Sequence, residues 1–232
     1  MLRCRLVRRW AWRCAAVAVL FCGPERTPAQ EAGGELKLCG SLLAVAAFDA
    51  AFEPCRKAAE AGHPLAMTAL GMIYSWGWGV RADHGLGIQW WRKAADAGET
   101  NAMVFLGQNY ANGDGVAQDY RQALYWYQKA AEAGHAGAMN NLGSMYESGR
   151  GVRRDLVRAH MWYNLAAARE SGKVSRAIFA QDRDRVAARL SSAEIARAQR
   201  LARDWRPRPA TAPPPATSPP EPAPPAVEPG PA

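Results

Sequence analysis

Two kinds of residue recur in this sequence at places where they could do chemistry. Gly77 and Gly79 flank a single residue after an apolar run, and closely spaced glycines can surround a phosphate with backbone N–H groups. Asp83 follows them, and a carboxylate beside such a loop could transfer a proton. A nucleotide-binding loop occurs once, after a strand, so the number of copies of the pattern tests this interpretation.

The glycine pattern occurs three times in the 232 residues, always 36 residues apart. The copies begin at residues 70, 106 and 142 and read LGMIYSWGWGVRAD, LGQNYANGDGVAQD and LGSMYESGRGVRRD. A motif repeated at constant spacing indicates a row of similar units, each of which buries its apolar face against the next. The glycines are therefore predicted to shape a repeat, and no phosphate site follows from them.

Each unit is predicted to form two short helices joined by a loop. In the second unit Ala102, Leu106 and Tyr110 are spaced by four and form one apolar stripe of a helix. Gly107 lies beside this stripe and lets a neighbouring helix approach closely. Gly113 follows where a helix can end in a left-handed conformation. The sequence thus predicts a stack of helical hairpins.

The repeated pattern resembles the Sel1-like repeat, a relative of the tetratricopeptide repeat. Residues 66–101, 102–137 and 138–172 match the pattern A-x-x-x-L-G-x-x-Y-x-x-G-x-G-V-x-x-D in turn, and residues 30–65 are predicted to hold an N-terminal cap with half a repeat. Gly87 departs from the pattern, because the other units have alanine there. The resemblance implies an all-α fold, a right-handed α-solenoid of stacked helical hairpins.

Two segments follow the repeats. Residues 173–206 are predicted to form a C-terminal helical cap, in which Ser191 and Glu194 have the spacing of a capping box. Residues 207–232 contain 12 prolines and are expected to be a disordered, extended, polyproline-II-like tail. For this tail an inert role and a docking role both remain open.

The first 29 residues have the order of a secretory signal peptide. Five arginines precede the short apolar run CAAVAVLFC, and small residues follow, so cleavage is expected after Ala29. The run is shorter than the roughly 20 residues that a transmembrane helix needs. We therefore predict a periplasmic or secreted protein with no stable transmembrane segment after cleavage.

Cys39 and Cys55 are the two cysteines that remain after the predicted cleavage. An even pair in an oxidising compartment favours a disulfide. Such a bridge would close a loop of about 16 residues and stabilise the fold by roughly 3 kcal/mol. No CxxC or histidine-rich pattern accompanies the pair, so we predict no metal site.

Positive charge is unevenly distributed along the chain. Residues 1–29 hold six arginines and one glutamate, so most of the formal net charge of +8 belongs to the predicted signal peptide. A nucleic-acid partner is therefore not expected. Residues 145–208 hold 15 basic and seven acidic side chains. This basic C-terminal region is either a solvated face or a contact for an acidic partner or anionic surface.

The residues that catalysis would need are not arranged as a site in the sequence. The recurring aspartates are explained as helix N-caps: Asp83, Asp119 and Asp155. The histidines are expected at turns or on the surface: His63, His84, His135 and His160. We predict no catalytic residue, no cofactor and no enzyme activity. The resemblance leaves one alternative, because cysteine-rich secreted Sel1-like proteins have been linked to β-lactamase-type activity and penicillin binding.

The resemblance assigns function to the concave face of the solenoid, which the first helix of each pair lines. By analogy with tetratricopeptide packing, the residues that face this groove are Thr68, Met72, Ser75, Trp76, Val104, Gln108, Ala111, Asn112, Asn140, Ser144, Glu147 and Ser148. This surface suits an extended peptide, and a glycan nearly as well. We predict a non-catalytic protein-interaction scaffold or adaptor of a bacterial-type cell envelope, with glycan binding as an alternative.

Trp76 and Trp78 have no aromatic counterparts in the later units, so the repeat itself does not require them. Tryptophan is enriched among the anchors of protein interfaces. The pair is expected either to anchor a partner or to cover the N-terminal half-repeat.

Overall fold

The computed structural model describes residues 28–207. Most of the predicted signal peptide (residues 1–27) and of the proline-rich tail (residues 208–232) lies outside the described residues. Within the described range the chain forms ten α-helices and no strand, which confirms the all-α fold. The helices are α1 (Pro28–Ala44), α2 (Phe48–Glu60), α3 (Pro64–Trp76), α4 (His84–Asp96), α5 (Thr100–Asn112), α6 (Tyr120–Glu132), α7 (Ala136–Ser148), α8 (Leu156–Arg169), α9 (Lys173–Ala187) and α10 (Ser192–Asp204).

Consecutive helices pack as hairpins, and the hairpins are stacked in chain order. Within the repeats α3 packs on α4, α5 on α6 and α7 on α8, while α4 also contacts α5 and α6 contacts α7. Each hairpin thus buries its second helix against the first helix of the next one. None of the helices between residues 28 and 207 is long and apolar enough to span a membrane.

Glycine and aspartate set the bounds of the helices in every repeat. The first glycine of each loop caps a helix in the left-handed conformation, with φ between 69° and 84°: Gly77, Gly113 and Gly149. The aspartate at the end of each loop accepts backbone N–H bonds from the first turn of the next helix: Asp83, Asp119 and Asp155. Both predictions are confirmed, because only a few residue types meet these local demands.

Another glycine in the first helix of each repeat makes room for an aromatic ring. A Cβ atom on Gly107 would lie 2.5 Å from the ring of Tyr127. The same relation joins Gly71 to Trp91 and Gly143 to Tyr163. The predicted close approach at Gly107 is confirmed, and the group that approaches is a ring from the second helix of the same hairpin.

The last glycine of each loop touches the preceding repeat. A Cβ atom on Gly115 would lie 2.5 Å from Cβ of His84, at the start of α4. Equivalent contacts join Gly79 to Asp49 and Gly151 to Tyr120. Since these glycines also have φ near 70°, other side chains are excluded by both the backbone conformation and the lack of space.

The departure at Gly87 is explained by its neighbour Ser75. A Cβ atom on Gly87 would lie 2.0 Å from Oγ of Ser75. In the second repeat the corresponding residues are Ala111 and Ala123. The hydroxyl group thus fills the space that a methyl group occupies elsewhere, and in the described part of the chain this buried Oγ makes no hydrogen bond.

The N-terminal end is a complete hairpin, although the sequence predicted half a repeat. Helix α1 lacks the repeat motif, yet it packs along α2. The two helices are joined by a short turn in which Ala46 has φ 55°. Cys39 on α1 and Cys55 on α2 form the predicted disulfide. Both cysteines are buried in a small apolar cluster with Ala51 and Ile73, so the bridge fastens this end to the first repeat.

At the C-terminal end both predicted cap helices form, and each packs on α8. Val186 of α9 and Ala198 of α10 are fully buried in the main core. Ser191 and Glu194 form the predicted capping box at the start of α10. The two helices do not act mainly as a hairpin of their own, since their shared partner is the last helix of the third repeat.

Candidate functional site

The residues predicted to face the groove differ in their burial. Three are buried: Thr68, Ser75 and Val104. Five are partly buried: Met72, Trp78, Ala111, Asn140 and Glu147. Five are exposed: Trp76, Gln108, Asn112, Ser144 and Ser148. The prediction is therefore wrong for Thr68 and Val104, whose side chains are buried between helices, whereas Ser75 is buried but still lines the cleft described below.

The two tryptophans of the first loop have different surroundings. Trp78 stacks on Phe48 of α2, with ring centroids 4.3 Å apart, and packs on the N-terminal apolar cluster. Trp76 keeps 46% of its surface exposed. Its ring stands edge-on to Phe105 at 5.9 Å and lies 4.7 Å from Trp78. Trp78 thus covers the N-terminal hairpin, whereas Trp76 presents its ring to solvent.

Beside Trp76 lies a cleft of about 330 Å³ between the end of α3, the start of α4 and the second half of α5. We call it the Trp76 cleft, and its lining includes Trp76, His84, Phe105, Gln108, Asn112 and Asp114. Aromatic rings and carboxamides meet here. Such a surface can stack on rings and form hydrogen bonds with a peptide backbone.

A chain of hydrogen bonds that was not predicted from the sequence connects the three repeats. Thr68 Oγ1 donates to Glu99 Oε2 (3.0 Å), and Asn101 Nδ2 donates to Glu99 Oε1 (2.9 Å). Asn101 Oδ1 lies 3.2 Å from His135 Nε2, and His135 Nδ1 accepts the N–H of Ala138 (3.2 Å). We call these five residues the repeat relay. A signal was present, because Glu99 and His135 stand at equivalent positions just before the first helix of a repeat.

His135 caps α7 through its ring, so its protonation state matters to the fold. Because Nδ1 accepts a backbone N–H, the neutral ring carries its proton on Nε2 and donates to Asn101. Burial lowers the pKa of His135, although the carboxylates of Glu99 and Glu170 oppose this shift. The folded state therefore favours the neutral ring that the cap requires.

Glu147 was predicted to face a partner, but within the described chain it already has three. Its carboxylate accepts a hydrogen bond from Tyr163 (3.0 Å) and forms ion pairs with Arg185 and, at 3.2 Å, with Arg189. Burial, and then the Glu147 carboxylate, raise the pKa of Tyr163, so its hydroxyl remains a donor. Helix α9 thus covers the last turn of α7, and Glu147 does not belong to an open binding surface.

His160 does not lie at a turn or on the surface, which corrects the prediction for this residue. It lies within α8 and only 3% of its surface is exposed. Burial lowers the pKa of His160, and Arg183 of α9 lowers it further, whereas Asp184 acts in the opposite direction. The imidazole ring of His160 is therefore neutral, and it packs beneath the cap helix α9.

The repeated acidic residues do not converge on one point. Each aspartate of the loops is bound to the first turn of its own following helix. Among residues 28–207 no group of three or more His, Cys, Asp or Glu side chains could hold a metal ion. The Trp76 cleft brings together Trp76, Gln108 and Asn112 of the predicted groove, and it is the candidate binding site.

Comparison with known proteins agrees with this architecture. The family model described as Sel1 repeat matches residues 64–99, 100–135 and 136–171. Each match begins two residues before the boundary drawn from the sequence pattern, at the start of the first helix of a hairpin. No curated protein matches the sequence significantly.

Two solved structures resemble the chain. One is a protective antigen present in uropathogenic Escherichia coli strains that displays an SLR fold, with 30% identity, a TM-score of 0.64 and 74% of this chain covered. The chain spans only 37% of that protein's length. The other is a Sel1 repeat protein from Oxalobacter formigenes, with 26% identity, a TM-score of 0.58, and 79% of this chain and 91% of that one covered. With three consecutive repeats in a stack of helical hairpins, the chain is a Sel1-repeat protein.

Proposed function

We propose that this protein is a non-catalytic adaptor of the cell envelope that binds a protein or an extended peptide across the Trp76 cleft. Sel1 repeats are typical of protein-interaction scaffolds. The partner would lie from Trp76 along the exposed side chains of Gln108 and Asn112 towards Ser144.

The observation that carries this proposal is the half-exposed ring of Trp76 beside carboxamide groups. The repeat does not require an aromatic residue there, since the later repeats have Asn112 and Ser148 at this position. A large aromatic side chain next to polar groups is typical of the anchor residues of interfaces.

The test is capture of partners from an envelope extract by the immobilised chain and by its Trp76→Asn variant. This variant copies the second repeat's own residue and leaves Trp78 to stack on Phe48, so the fold should be kept. We expect capture to fall about tenfold or more, whereas Ser148→Ala, the matched change in the third repeat, should leave it unchanged. Undiminished capture by Trp76→Asn would refute the proposal.

The non-catalytic part of the proposal is supported by the structural use of the polar residues. The repeated aspartates cap helices, and His135 does so as well. The purified protein should therefore not hydrolyse the chromogenic β-lactam nitrocefin. Turnover that a single substitution abolishes would favour the enzyme alternative.

The envelope location is supported by the arginine-rich start of the sequence and by the Cys39–Cys55 bridge, since disulfides persist in oxidising compartments. Intact-mass measurement of protein from the envelope fraction should give a chain that begins at Gln30. A mass that includes the first 29 residues would contradict export by signal cleavage.

A second contact, with an anionic surface, is favoured by helix α10. Arg197 and Arg200 are exposed there, and exposed arginines attract anionic headgroups. Sedimentation with vesicles of anionic lipid should pull down the chain at low salt and release it at high salt. Equal sedimentation with neutral vesicles would count against this contact.

A further inference from the structure

The Trp76 cleft combines a rigid aromatic wall with a free donor. Trp91 and Phe105 stack with centroids 5.0 Å apart, and the indole N–H of Trp91 donates to the Thr68 carbonyl (3.1 Å), which fixes this ring. Trp76 stands against Phe105, and within the described chain no hydrogen bond engages its indole N–H. The rings of Trp91 and Phe105 are therefore fixed, while the indole N–H of Trp76 is still available to donate a hydrogen bond.

The carboxamides beside the rings differ in what they can offer. Asn109 is buried and donates to the carbonyl of Phe105 (2.7 Å), and Asn112 donates to Asp114 Oδ2 (3.1 Å). Gln108 is exposed, and its side chain forms no hydrogen bond to the described residues. Beside Trp76 the cleft thus has a second free donor.

Rings next to free donors fit a segment that is rich in proline. A proline ring packs flat on an aromatic face, and a proline-rich backbone has carbonyl acceptors but few N–H donors. It is also extended in advance, which lowers the entropy lost on binding. The acceptors of the cleft, such as the carboxylate of Asp114, can bind the few N–H groups that such a segment retains.

The chain itself contains such a segment. Residues 208–232 lie after α10 and outside the described range, and 11 of these 25 residues are proline, including Pro213, Pro214 and Pro215 in a row. One arginine and two glutamates leave the segment nearly uncharged, so charge does not oppose its approach to the cleft.

The segment is long enough to reach the cleft. At about 3.1 Å per residue, 25 residues in an extended polyproline form span about 78 Å. The cleft lies beside α4, four helices before α8, on which α10 packs, and with neighbouring helices about 10 Å apart this path is about 40 Å. About half of the segment could cover that span.

We propose that residues 208–232 dock into the Trp76 cleft of the same molecule. The inference rests on the proposed function, because it assigns an internal occupant to the surface that binds the partner. A partner would then have to displace the chain's own proline-rich segment, and the segments that compete best are themselves proline-rich.

The test is the ¹H–¹⁵N spectrum of the full chain, in which the Trp76 indole signal is identified by its loss in Trp76→Asn. Replacement of Pro213, Pro214, Pro215, Pro219 and Pro220 by serine keeps the length of the segment. We expect this change to move the Trp76 signal and to leave the signal of buried Trp126 in place. An identical Trp76 signal in both chains would overturn the docking.

A synthetic peptide of residues 208–228, added to the serine variant, should restore the wild-type Trp76 signal. Trp76→Asn in this variant should weaken peptide binding about tenfold, and Ser148→Ala should not. The wild-type signal should also keep its position on dilution, as a contact within one molecule requires. A signal that moves on dilution would instead indicate exchange of the segment between copies and would refute docking within one chain.

These outcomes separate the two proposals. If the peptide fails to bind while partner capture still depends on Trp76, the inference fails and the proposed function stands. If neither peptide binding nor capture depends on Trp76, both fail.

Discussion

The two ends of this solenoid are closed by different interactions. At the N-terminal end a disulfide joins α1 to α2, and Trp78 stacks on Phe48 over small apolar residues. At the C-terminal end Glu147 forms ion pairs with Arg185 of α9 and with Arg189, which follows this helix. The first closure is covalent and apolar, whereas the second adds partly exposed ion pairs to buried apolar contacts.

This difference follows from what each end has to cover. The N-terminal end is held by two small apolar clusters, one around the disulfide and one around Leu70, and the cross-link adds stability through the unfolded state. The third repeat offers larger side chains, and Trp162 meets Trp205 edge-on at 5.6 Å. Reductant should therefore loosen one end, and salt should loosen the other.

The largest effect is expected from Cys39→Ser combined with Cys55→Ser. Loss of the bridge should lower the free energy of unfolding in urea by about 3 kcal/mol. Hydrogen exchange should show the loss mainly in α1 and α2. Wild-type protein in reductant is the control and should behave alike; a double variant as stable as the wild type would show that the bridge adds nothing.

Gly79→Ala should rank next, because it disturbs the contact between the first loop and the N-terminal hairpin. The new Cβ would lie 2.7 Å from Cα of Asp49, and the backbone has φ +70°. We expect a loss of about 2 kcal/mol in thermal or urea unfolding. Gly62→Ala has a similar φ of +94° but open space around it, so it should cost only about 1 kcal/mol. Equal losses would mean that the loop contact carries no strain.

At the other end, Glu147→Gln should weaken the hold of α9 on α7. The carboxylate accepts a hydrogen bond and two ion pairs, and its loss should cost about 1.5 kcal/mol. Concentrated sodium chloride should destabilise the wild type more than the variant, since the variant lacks the screened charge. If salt affects both chains equally, the ionic description of this end is incorrect.

The smallest effect is expected from a change of pH, and it concerns His135, which lies between the two ends of the solenoid. Burial holds the pKa of His135 below its unfolded value of about 6.5. The folded chain thus binds fewer protons, and stability should fall as the pH drops below about 6.5. His135→Asn keeps an acceptor for the Ala138 N–H but does not titrate, so its unfolding free energy should fall less steeply with pH. If the unfolding free energies of the wild type and of His135→Asn depend on pH in the same way, His135 does not contribute to the pH dependence. Both chains keep buried His160, so its contribution is the same in each.

The repeat core could be predicted from the sequence because its rules are local. A glycine cap or an aspartate cap depends only on a few neighbouring residues, and Gly77 and Asp83 indicate the two ends of one loop. Because the motif recurs at constant spacing, each of these local signals occurs three times in the sequence. The disulfide was also predictable, since Cys39 and Cys55 had no other partner in the predicted mature chain.

The predictions failed where distant parts of the chain decide the outcome. The groove residues were assigned by analogy with tetratricopeptide packing, which does not say which helices cover that face in this chain, so Thr68 and Val104 were misplaced. Glu147 meets Arg185, which follows 38 residues later. Helix α1 has no repeat motif and contains several glycines, and only its packing on α2 reveals it as half of a hairpin.

The repeat relay makes the order of the three repeats matter. Glu99 closes the first repeat and accepts hydrogen bonds from Thr68 of that repeat and from Asn101 of the second, whereas His135 closes the second repeat and donates to Asn101. If the second repeat were duplicated in the gene, the copied Asn101 would follow His135 instead of Glu99. Its side-chain amide would then lack the carboxylate to which Asn101 donates. A lengthened protein would therefore keep the relay across a new junction only if the residue there changed as well.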